Sequence, residues 1–259
     1  MSDVSDWWST SIIDMEPGRI ALRGEPIEDL IGNLSFAEMI WFLVRGNRPL
    51  PAQADLFEAA LVAAVDHGPQ APSIATARMA VTCGLPLNNA MASAVNMLGD
   101  IHGGAGEQAV ELYHFVGSHS GGIGAAIDDW IDDHGKILPG FGHRFHTPTD
   151  PRAPRLMALV SEAVERGACD GRFRKIALDI EAELARRKGK PVPMNIDGAT
   201  AVIYAELGFE APLARGLFCL SRSVGILAHA WEQMQQGGRN KGPTPPTYRW
   251  TYERNSPEE

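Results

Sequence analysis

LPGFGHRFHTPTDPR, which occupies Leu138–Arg152, is the most informative segment of this 259-residue sequence. It contains two histidines, two arginines, two glycines and three prolines. Proline lacks an amide donor and glycine is entropically costly in a helix, so the segment is predicted to be a shaped loop. Free backbone amides and guanidinium groups on such a loop suit an anionic ligand. The alternative is a surface turn with incidental charge.

Most of the chain outside this loop follows the 3.6-residue period of amphipathic helices. Runs that alternate with the two-residue period of a strand are few, so the sequence predicts a nearly all-α fold. A short helix is expected from Pro26, and residues 1–25 are expected to be an irregular lead-in whose Trp7–Trp8 pair packs on the body or on a partner subunit. The longer predicted helices are Phe36–Arg45, Gln53–Val65, Ser73–Thr82, Asn89–Leu98, Glu107–Val116, Ile123–His134, Arg155–Arg166, Arg172–Arg187, Ala199–Leu207 and Pro212–Met234.

Residues 150–192 are more charged than the rest of the chain and have prolines at both ends. This change of composition predicts a small mobile subdomain that closes over a ligand. The remaining residues, 1–149 and 193–259, are predicted to form one large helical domain.

The bulk composition limits the classes of function. A net charge of -9 argues against a nucleic-acid partner or a membrane surface, because both require basic patches. Three widely spaced cysteines fit neither a disulfide framework nor a zinc site, and no other metal-binding motif is present. The amino-terminal segment has no signal-peptide pattern, and we expect a cytoplasmic protein without a membrane span.

Polar residues that can carry chemistry lie at helix ends or in breaks between helices. Arg222 is different, because it lies within the apolar run LFCLSRSVGILAH and must there form a structural ion pair or face a site. His229 lies on the same helical face, as a core or near-site residue. Histidines for proton transfer, a carboxylate and several arginines together predict acid–base chemistry on a polycarboxylate. The clusters are Asp66-His67, His102 between glycines, His143-Arg144 with Arg152, and Asn195 with Asp197.

Five segments, in this order, resemble the active-site segments of the citrate synthase superfamily. They are VDHGPQAPS, GDIHGGAGEQA, PGFGHRFHTPTDPR, PMNIDGA and SRSVGILAHAWEQ. The resemblance extends over nearly the whole chain from about Arg19. It implies an all-α, citrate synthase-like fold with a large helical domain and a small, reduced helical subdomain. It also implies a CoA thioester and a dicarboxylate as ligands, no cofactor, and a homodimer or larger homo-oligomer.

The resemblance implies a role for each matching residue. His102 corresponds to the histidine that polarises the thioester carbonyl, and His143 to the one that is hydrogen-bonded to the oxygen of the central carbon. Asp197 corresponds to the acid–base that exchanges a proton with the acetyl methyl group. The implied substrate-binding residues are His67, which holds the keto-acid half, and Arg144, Arg152 and Arg222. The implied CoA contacts are the backbone of Pro139, Gly140, Phe141 and Gly142.

Two details favour cleavage over synthesis within this superfamily. The chain is much shorter than a typical citrate synthase, and its DHGP and NIDG resemble the citryl-CoA lyase module of ATP-citrate lyase and stand-alone citryl-CoA lyases. The implied reaction is cleavage of citryl-CoA to oxaloacetate and acetyl-CoA. His102 is nevertheless kept, as in synthases. The tail NKGPTPPTYRW lacks the synthase Arg-Pro, and the candidate substitutes for its arginine are Arg239 and Arg249. The alternatives are a short citrate or methylcitrate synthase and a non-catalytic CoA-ester-binding or scaffold protein.

Overall fold

A computed structural model describes residues 4–143, 146 and 148–254. The fold is mostly helical, as predicted, with one small antiparallel sheet. The strands are β1 (Ile13–Glu16), β2 (Arg19–Leu22) and β3 (Glu25–Pro26). The helices are α1 (Val4–Trp7), α2 (Ile27–Leu30), α3 (Phe36–Arg45), α4 (Pro51–Ala63), α5 (Pro72–Thr82), α6 (Leu87–Val95), α7 (Ala105–Ser118), α8 (Gly122–His134), α9 (Arg152–Glu165), α10 (Arg172–Lys188), α11 (Ile196–Glu206) and α12 (Ala211–Gln236).

The predicted helix ends follow from local capping chemistry. At the start of α3, the Ser35 hydroxyl accepts the Glu38 amide, and the Glu38 carboxylate accepts the Ser35 amide. Gly46 ends α3 with a φ of 77°, which glycine adopts without strain. The least accurate prediction is Asn89–Leu98, because α6 begins directly after Pro86 and has ended by Asn96.

The expectation of an irregular lead-in was wrong. Residues 13–26 form the sheet β1-β2-β3, in which Ile13 pairs with Leu22 and Glu16 with Arg19. These strands have at most four residues, and the one alternation of apolar and polar residues, IDME in β1, is short and poor in the β-branched and aromatic residues typical of strands. Trp7 and Trp8 do not pack on the body, since 80% and 76% of their surfaces are exposed. Their packing on a partner subunit stays a prediction.

The chain divides into two compact units. The first unit comprises Met1–Ala64 and Ala105–Phe218, and the second comprises Val65–Gly104 and Cys219–Glu259. The predicted subdomain of residues 150–192, with α9 and α10, falls within the first unit. Its movement as a separate body stays a prediction.

The core of the first unit is built around α11. This helix is apolar on all sides, and its residues from Gly198 to Ala205 are buried. It packs against α7, α9, α10 and α4. An aromatic cluster lies at its carboxyl end, where the rings of Phe57 and Phe209 stack at 5.3 Å and Trp41 meets Phe209 edge-on at 5.1 Å.

The core of the second unit consists mainly of small side chains, which allow α5 and α6 to approach closely. Its buried members are Ala71, Ile74, Ala77, Ala80, Ala90, Ala94, Ile226 and Ala230. Among the described residues, α12 alone is long and apolar enough to cross a membrane by length and composition. Because Ile226 and Ala230 lie in this core, we interpret α12 as a core helix of a globular protein.

Within the first unit, the loop Pro139–Gly142 lies directly against the beginning of α11. A Cβ atom on Gly140 would lie 2.7 Å from Gly198 Cα, and a Cβ atom on Gly198 would collide with the carbonyl oxygen of Gly140. Gly140 also has a φ of 84°. Both positions therefore require glycine for the loop to reach the helix.

Gly198→Ala is expected to destabilise the fold by about 1–3 kcal/mol, because the added methyl group pushes the loop away from α11. Chemical denaturation measures the effect. Gly216→Ala is the matched control, since a Cβ atom at this helical glycine meets nothing within 4 Å. The control is expected to be neutral or slightly stabilising. Equal stability of Gly198→Ala and the wild-type protein would contradict the close approach.

Candidate active site

Two short segments of the first unit are joined by backbone hydrogen bonds and carry candidate catalytic residues. The Gly142 amide donates to Pro193 O at 2.7 Å, and the Asn195 amide donates to Gly140 O at 3.0 Å. Phe141 and Met194 form an antiparallel bridge between these bonds. This pairing fixes the predicted CoA-binding loop Pro139–Gly142 relative to the start of α11.

Asn195 caps α11 and orients the residue that follows. Its side-chain oxygen accepts the amides of Asp197 at 3.0 Å and Gly198 at 3.1 Å, while its side-chain nitrogen donates to Gly142 O at 2.9 Å. Asp197 therefore lies in the first turn of α11 and is partly exposed. Sequence reasoning gave Asn195 no role of its own. An asparagine directly before the start of a helix indicates such a capping role in the sequence, because asparagine is a common N-cap.

His143 follows this loop and is held as a neutral imidazole. Burial, aided by His146 and the Arg152 cation, lowers its pKa, while Asp150 partly opposes the shift. The His146 amide donates to His143 Nδ1 at 3.1 Å. Neutral His143 therefore carries its proton on Nε2 and can donate a hydrogen bond from that atom.

Arg152 is paired with an acid that sequence reasoning did not single out. Asp150 is fully buried, and its carboxylate accepts Arg152 Nε at 3.0 Å and Nη2 at 2.8 Å. Burial would raise the pKa of Asp150, but the hydrogen bonds and charge of Arg152 outweigh it and lower the pKa overall. Two donors of Arg152 are thus engaged by Asp150, which fixes the plane of the guanidinium group. The spacing Asp-Pro-Arg is the sequence signal for this pair.

His102 of the second unit is also a neutral imidazole, but with the opposite tautomer. The Ser73 amide donates to His102 Nε2 at 3.2 Å, and the Ser73 hydroxyl lies 3.0 Å from the same atom. The proton of neutral His102 is therefore on Nδ1. Burial and the nearby Arg222 cation both lower the pKa of His102. Ser73 is a further residue that sequence reasoning missed, because its contact with His102 spans a long stretch of chain.

Arg222 is buried in α12, with 3% of its surface exposed, as its apolar surroundings predicted. His67 is exposed and follows Asp66, whose carboxylate accepts the backbone amides of His67 and Gly68. Asp66 Oδ1 also lies 3.2 Å from His229 Nε2. The second unit thus contains a buried arginine, the histidines His67, His102 and His229, and a carboxylate that accepts hydrogen bonds from the His67 turn.

The predicted site residues fall into two groups. The first unit contains Pro139, Gly140, Phe141, Gly142, His143, Arg152 and Asp197, and the second contains His67, His102 and Arg222. Arg144, a predicted substrate-binding residue, lies outside the described residues. Within the described part of the chain, no group of three or more histidines, cysteines or acids is arranged to hold a metal ion.

Comparison with known proteins identifies the family. Residues 44–244 match the family model described as citrate synthase, C-terminal domain. The chain belongs to the citrate synthase family. The citrate synthase of Acidithiobacillus ferridurans is 28% identical over 78% of this chain and 52% of its own length. That of Haloferax volcanii is 29% identical over 82% of this chain and 55% of its own length. The chain therefore spans about half the length of these curated relatives.

Solved structures of the citrate synthase family include one that matches over its full length. A citryl-CoA lyase from Hydrogenobacter thermophilus is 32% identical, with a TM-score of 0.86, over 97% of this chain and 96% of the lyase. An ATP citrate lyase from Methanothrix soehngenii has a TM-score of 0.81 over 98% of this chain and 45% of its own. Since its sequence is only 19% identical, that second match supports the fold alone.

Asp150→Asn is expected to lower the free energy of unfolding by about 1–3 kcal/mol at neutral pH, because it removes a buried partner of a charge. The folded pKa of Asp150 lies below its ordinary value of 3.8. The stabilisation is therefore fully present above that ordinary value and is lost as the pH falls through the lower folded pKa. Urea denaturation between pH 2 and 7 measures both effects.

Asp55→Asn is the control, since Asp55 forms a similar pair with Arg166 in which both side chains are more than half exposed. Such a surface pair contributes about 0–1 kcal/mol. Equal losses of stability in the two variants would contradict a stabilising role of the buried pair. So would an Asp150→Asn variant whose free energy of unfolding depends on pH as that of the wild-type protein does.

Proposed function

We propose that this protein is a citryl-CoA lyase, which cleaves citryl-CoA to oxaloacetate and acetyl-CoA. The observation that carries this proposal is the match to a citryl-CoA lyase over 97% of this chain and 96% of that one. The curated citrate synthases, by contrast, are about twice as long as the segment they share with this chain.

The proposed reaction breaks one carbon–carbon bond. The proton of the tertiary hydroxyl group passes to a base and from it to solvent. The carbon–carbon bond then breaks, the hydroxyl carbon becomes the keto carbon of oxaloacetate, and the electron pair of the bond leaves with the other half as an acetyl-CoA enolate. His143 uses Nε2–H to hydrogen-bond the hydroxyl oxygen and stabilise its developing charge. His102 uses Nδ1–H to do the same for the thioester oxygen of the enolate. Asp197 in its acid form donates a proton to the enolate carbon, which yields acetyl-CoA, and regains a proton from solvent.

The neutral state of both histidines supports these roles. A neutral imidazole whose other nitrogen is already hydrogen-bonded has a fixed tautomer and presents a single N–H donor. Ser73 fixes this tautomer for His102, and the His146 amide fixes it for His143. Such preorganised donors stabilise an enolate or alkoxide without first having to reorient.

The remaining predicted residues bind the two halves of the substrate. We propose that His67, Arg152 and Arg222 hold the carboxylates of the keto-acid half, with Arg144 as a further cation. The backbone of Pro139–Gly142 contacts CoA. The reaction needs no cofactor, because the CoA thioester is itself the substrate.

A short citrate or methylcitrate synthase is the second candidate. The specific observation in its favour is that the curated relatives from Acidithiobacillus ferridurans and Haloferax volcanii are named citrate synthase. Such an enzyme condenses acetyl-CoA or propionyl-CoA with oxaloacetate and uses the same donors, since an enolate and an oxyanion form in either direction.

One pair of assays separates these functions. Citryl-CoA is supplied and oxaloacetate is measured with a coupled dehydrogenase, and in parallel acetyl-CoA and oxaloacetate are supplied and free CoA is measured. A lyase releases oxaloacetate from citryl-CoA and forms little free CoA in the second assay. Rapid release of free CoA in the second assay identifies a synthase. Binding of CoA esters with neither activity identifies a scaffold protein.

Asp197→Asn and Arg222→Gln are expected to affect different kinetic constants. Asp197→Asn keeps the shape of the side chain but loses the proton transfer, so kcat should fall roughly 10²–10⁴-fold with little change in substrate affinity. Arg222→Gln removes a charged partner of a carboxylate, so affinity should fall by about 1.5–3 kcal/mol. Steady-state kinetics and calorimetric binding distinguish the two effects. Near-normal turnover by Asp197→Asn would show that the acid–base is assigned to the wrong residue.

We also propose that the protein is at least a homodimer, as the resemblance of its sequence to the citrate synthase superfamily implies. Exposed apolar side chains follow one another at intervals of three and four residues along α12. They are Leu220, Val224, Leu227, Trp231 and Met234. An exposed apolar surface of this kind is typical of a protein–protein interface, and a charged side chain placed in it should weaken association of the subunits. Light scattering at micromolar concentration is expected to give at least a dimer mass for the wild-type protein and a smaller mass for Val224→Glu with Leu227→Glu.

Gln235→Glu is the control for this experiment, because it places a negative charge at an exposed polar position of α12. It is expected to keep the wild-type mass. A monomeric wild-type protein would contradict the dimer, and an unchanged mass in the double variant would exclude this face of α12 from the interface.

A further inference from the structure

One face of α12 holds the residues that come immediately before His67. Arg222, Gly225 and His229 are separated by three and four positions and so share this face. The Gly225 amide donates to Val65 O at 3.1 Å, and His229 Nε2 lies 3.2 Å from Asp66 Oδ1. Two consecutive residues, Val65 and Asp66, are thus attached to the helix that carries Arg222.

This attachment depends on the absence of a side chain at residue 225. A Cβ atom there would collide with Val65 O and lie 3.0 Å from Asp66 Oδ1. The segment therefore lies directly against the helix backbone. The backbone of α12 therefore fixes the position of Val65 and Asp66, the two residues before His67.

The His229 ring has a defined tautomer. Arg78 Nη1 lies 3.4 Å from His229 Nδ1, and as a cation it can only donate a hydrogen to that nitrogen. The proton of neutral His229 is therefore on Nε2, and it is donated to Asp66. Arg78 is itself held by Glu232 at 2.7 Å and by Gln236 at 2.8 Å.

Asp66 connects His229 to the turn that contains His67. Its carboxylate accepts the backbone amides of His67 and Gly68 as well as the His229 hydrogen bond. Burial would raise the pKa of Asp66, but the hydrogen bonds from His229 and the two backbone amides help to lower it overall. The carboxylate is thus ionised at neutral pH and holds the turn on which His67 is placed.

We propose that His229 is a positioning residue, which through Asp66 fixes the His67 turn against α12 for recognition of the keto-acid half of the substrate. The proposal rests on the proposed function for the role of His67. His229 itself contacts Asp66 and Arg78 and is not a catalytic residue. Its effect should appear in the affinity for the dicarboxylate and not in the affinity for CoA.

The test compares His229→Leu, which removes the donor, with His229→Gln, which retains an N–H group. His229→Leu is expected to raise the KM for citryl-CoA, and the Kd of oxaloacetate measured by calorimetry, about tenfold to a hundredfold. The kcat and the Kd of CoA should change less than threefold. His229→Gln should recover most of the lost affinity. Gln235→Leu, the same replacement at an exposed position of α12, should behave as the wild-type protein does.

A double-mutant cycle with Asp66→Asn tests whether His229 acts through Asp66. The double variant should bind oxaloacetate no more weakly than the poorer single variant, because both changes break the same connection. Additive losses, or an unchanged oxaloacetate Kd in a folded His229→Leu protein, would overturn the proposal. If His229→Leu does not fold, the comparison of Asp66→Asn with the wild-type protein decides, and unchanged oxaloacetate affinity there overturns it.

The experiments distinguish failure of the proposed lyase function from failure of the proposed role of His229. A wild-type protein that binds oxaloacetate but does not cleave citryl-CoA contradicts the lyase, and the calorimetric comparison still decides the role of His229. A wild-type protein that binds no oxaloacetate contradicts both.

Discussion

The close approach of Gly140 and Gly198 is the constraint on which the candidate site of the first unit depends. Because neither residue has a side chain, the loop Pro139–Gly142 reaches the backbone of α11 and pairs with the strand-like segment before it. The Asn195 side chain then hydrogen-bonds to both segments, to Gly142 O in the loop and to the first amides of α11. His143 and Asp197 extend from the two joined segments, so their spacing is set by backbone hydrogen bonds and not by flexible side chains.

Neutral histidines are the common electrostatic feature of both units. Burial is the main cause of the lowered pKa at His102 and at His143, and a nearby arginine lowers the pKa further in each case. The same arginines are cations suited to substrate carboxylates. One set of charges can thus both bind an anion and keep an imidazole in the form that donates a single hydrogen bond, which is the form that a developing enolate requires.

Much of this architecture could be predicted from the sequence, for identifiable reasons. The long helices have strong 3.6-residue periodicity, and Ser35 and Gly46 mark the two ends of α3. The strands of residues 13–26 were missed because each has at most four residues and few β-branched or aromatic side chains. The pairing of Asp150 with Arg152 and of Ser73 with His102 was also missed. The contact between Ser73 and His102 spans 29 residues, so no local pattern indicates it. Asp150 and Arg152 do have a local signal, the Asp-Pro-Arg spacing, but spacing alone does not show that the carboxylate is buried and paired.

The proposed mechanism depends most directly on Asp197, which we propose exchanges a proton with the acetyl carbon of a CoA thioester. Proton NMR of acetyl-CoA and oxaloacetate in deuterated water tests it directly, because the acetyl methyl signal disappears as deuterium is incorporated. We expect the wild-type protein to remove this signal, and in the presence of Asp197→Asn the signal should disappear only at the rate seen without protein. Exchange by Asp197→Asn at the wild-type rate, or none by the wild-type protein, would contradict the account.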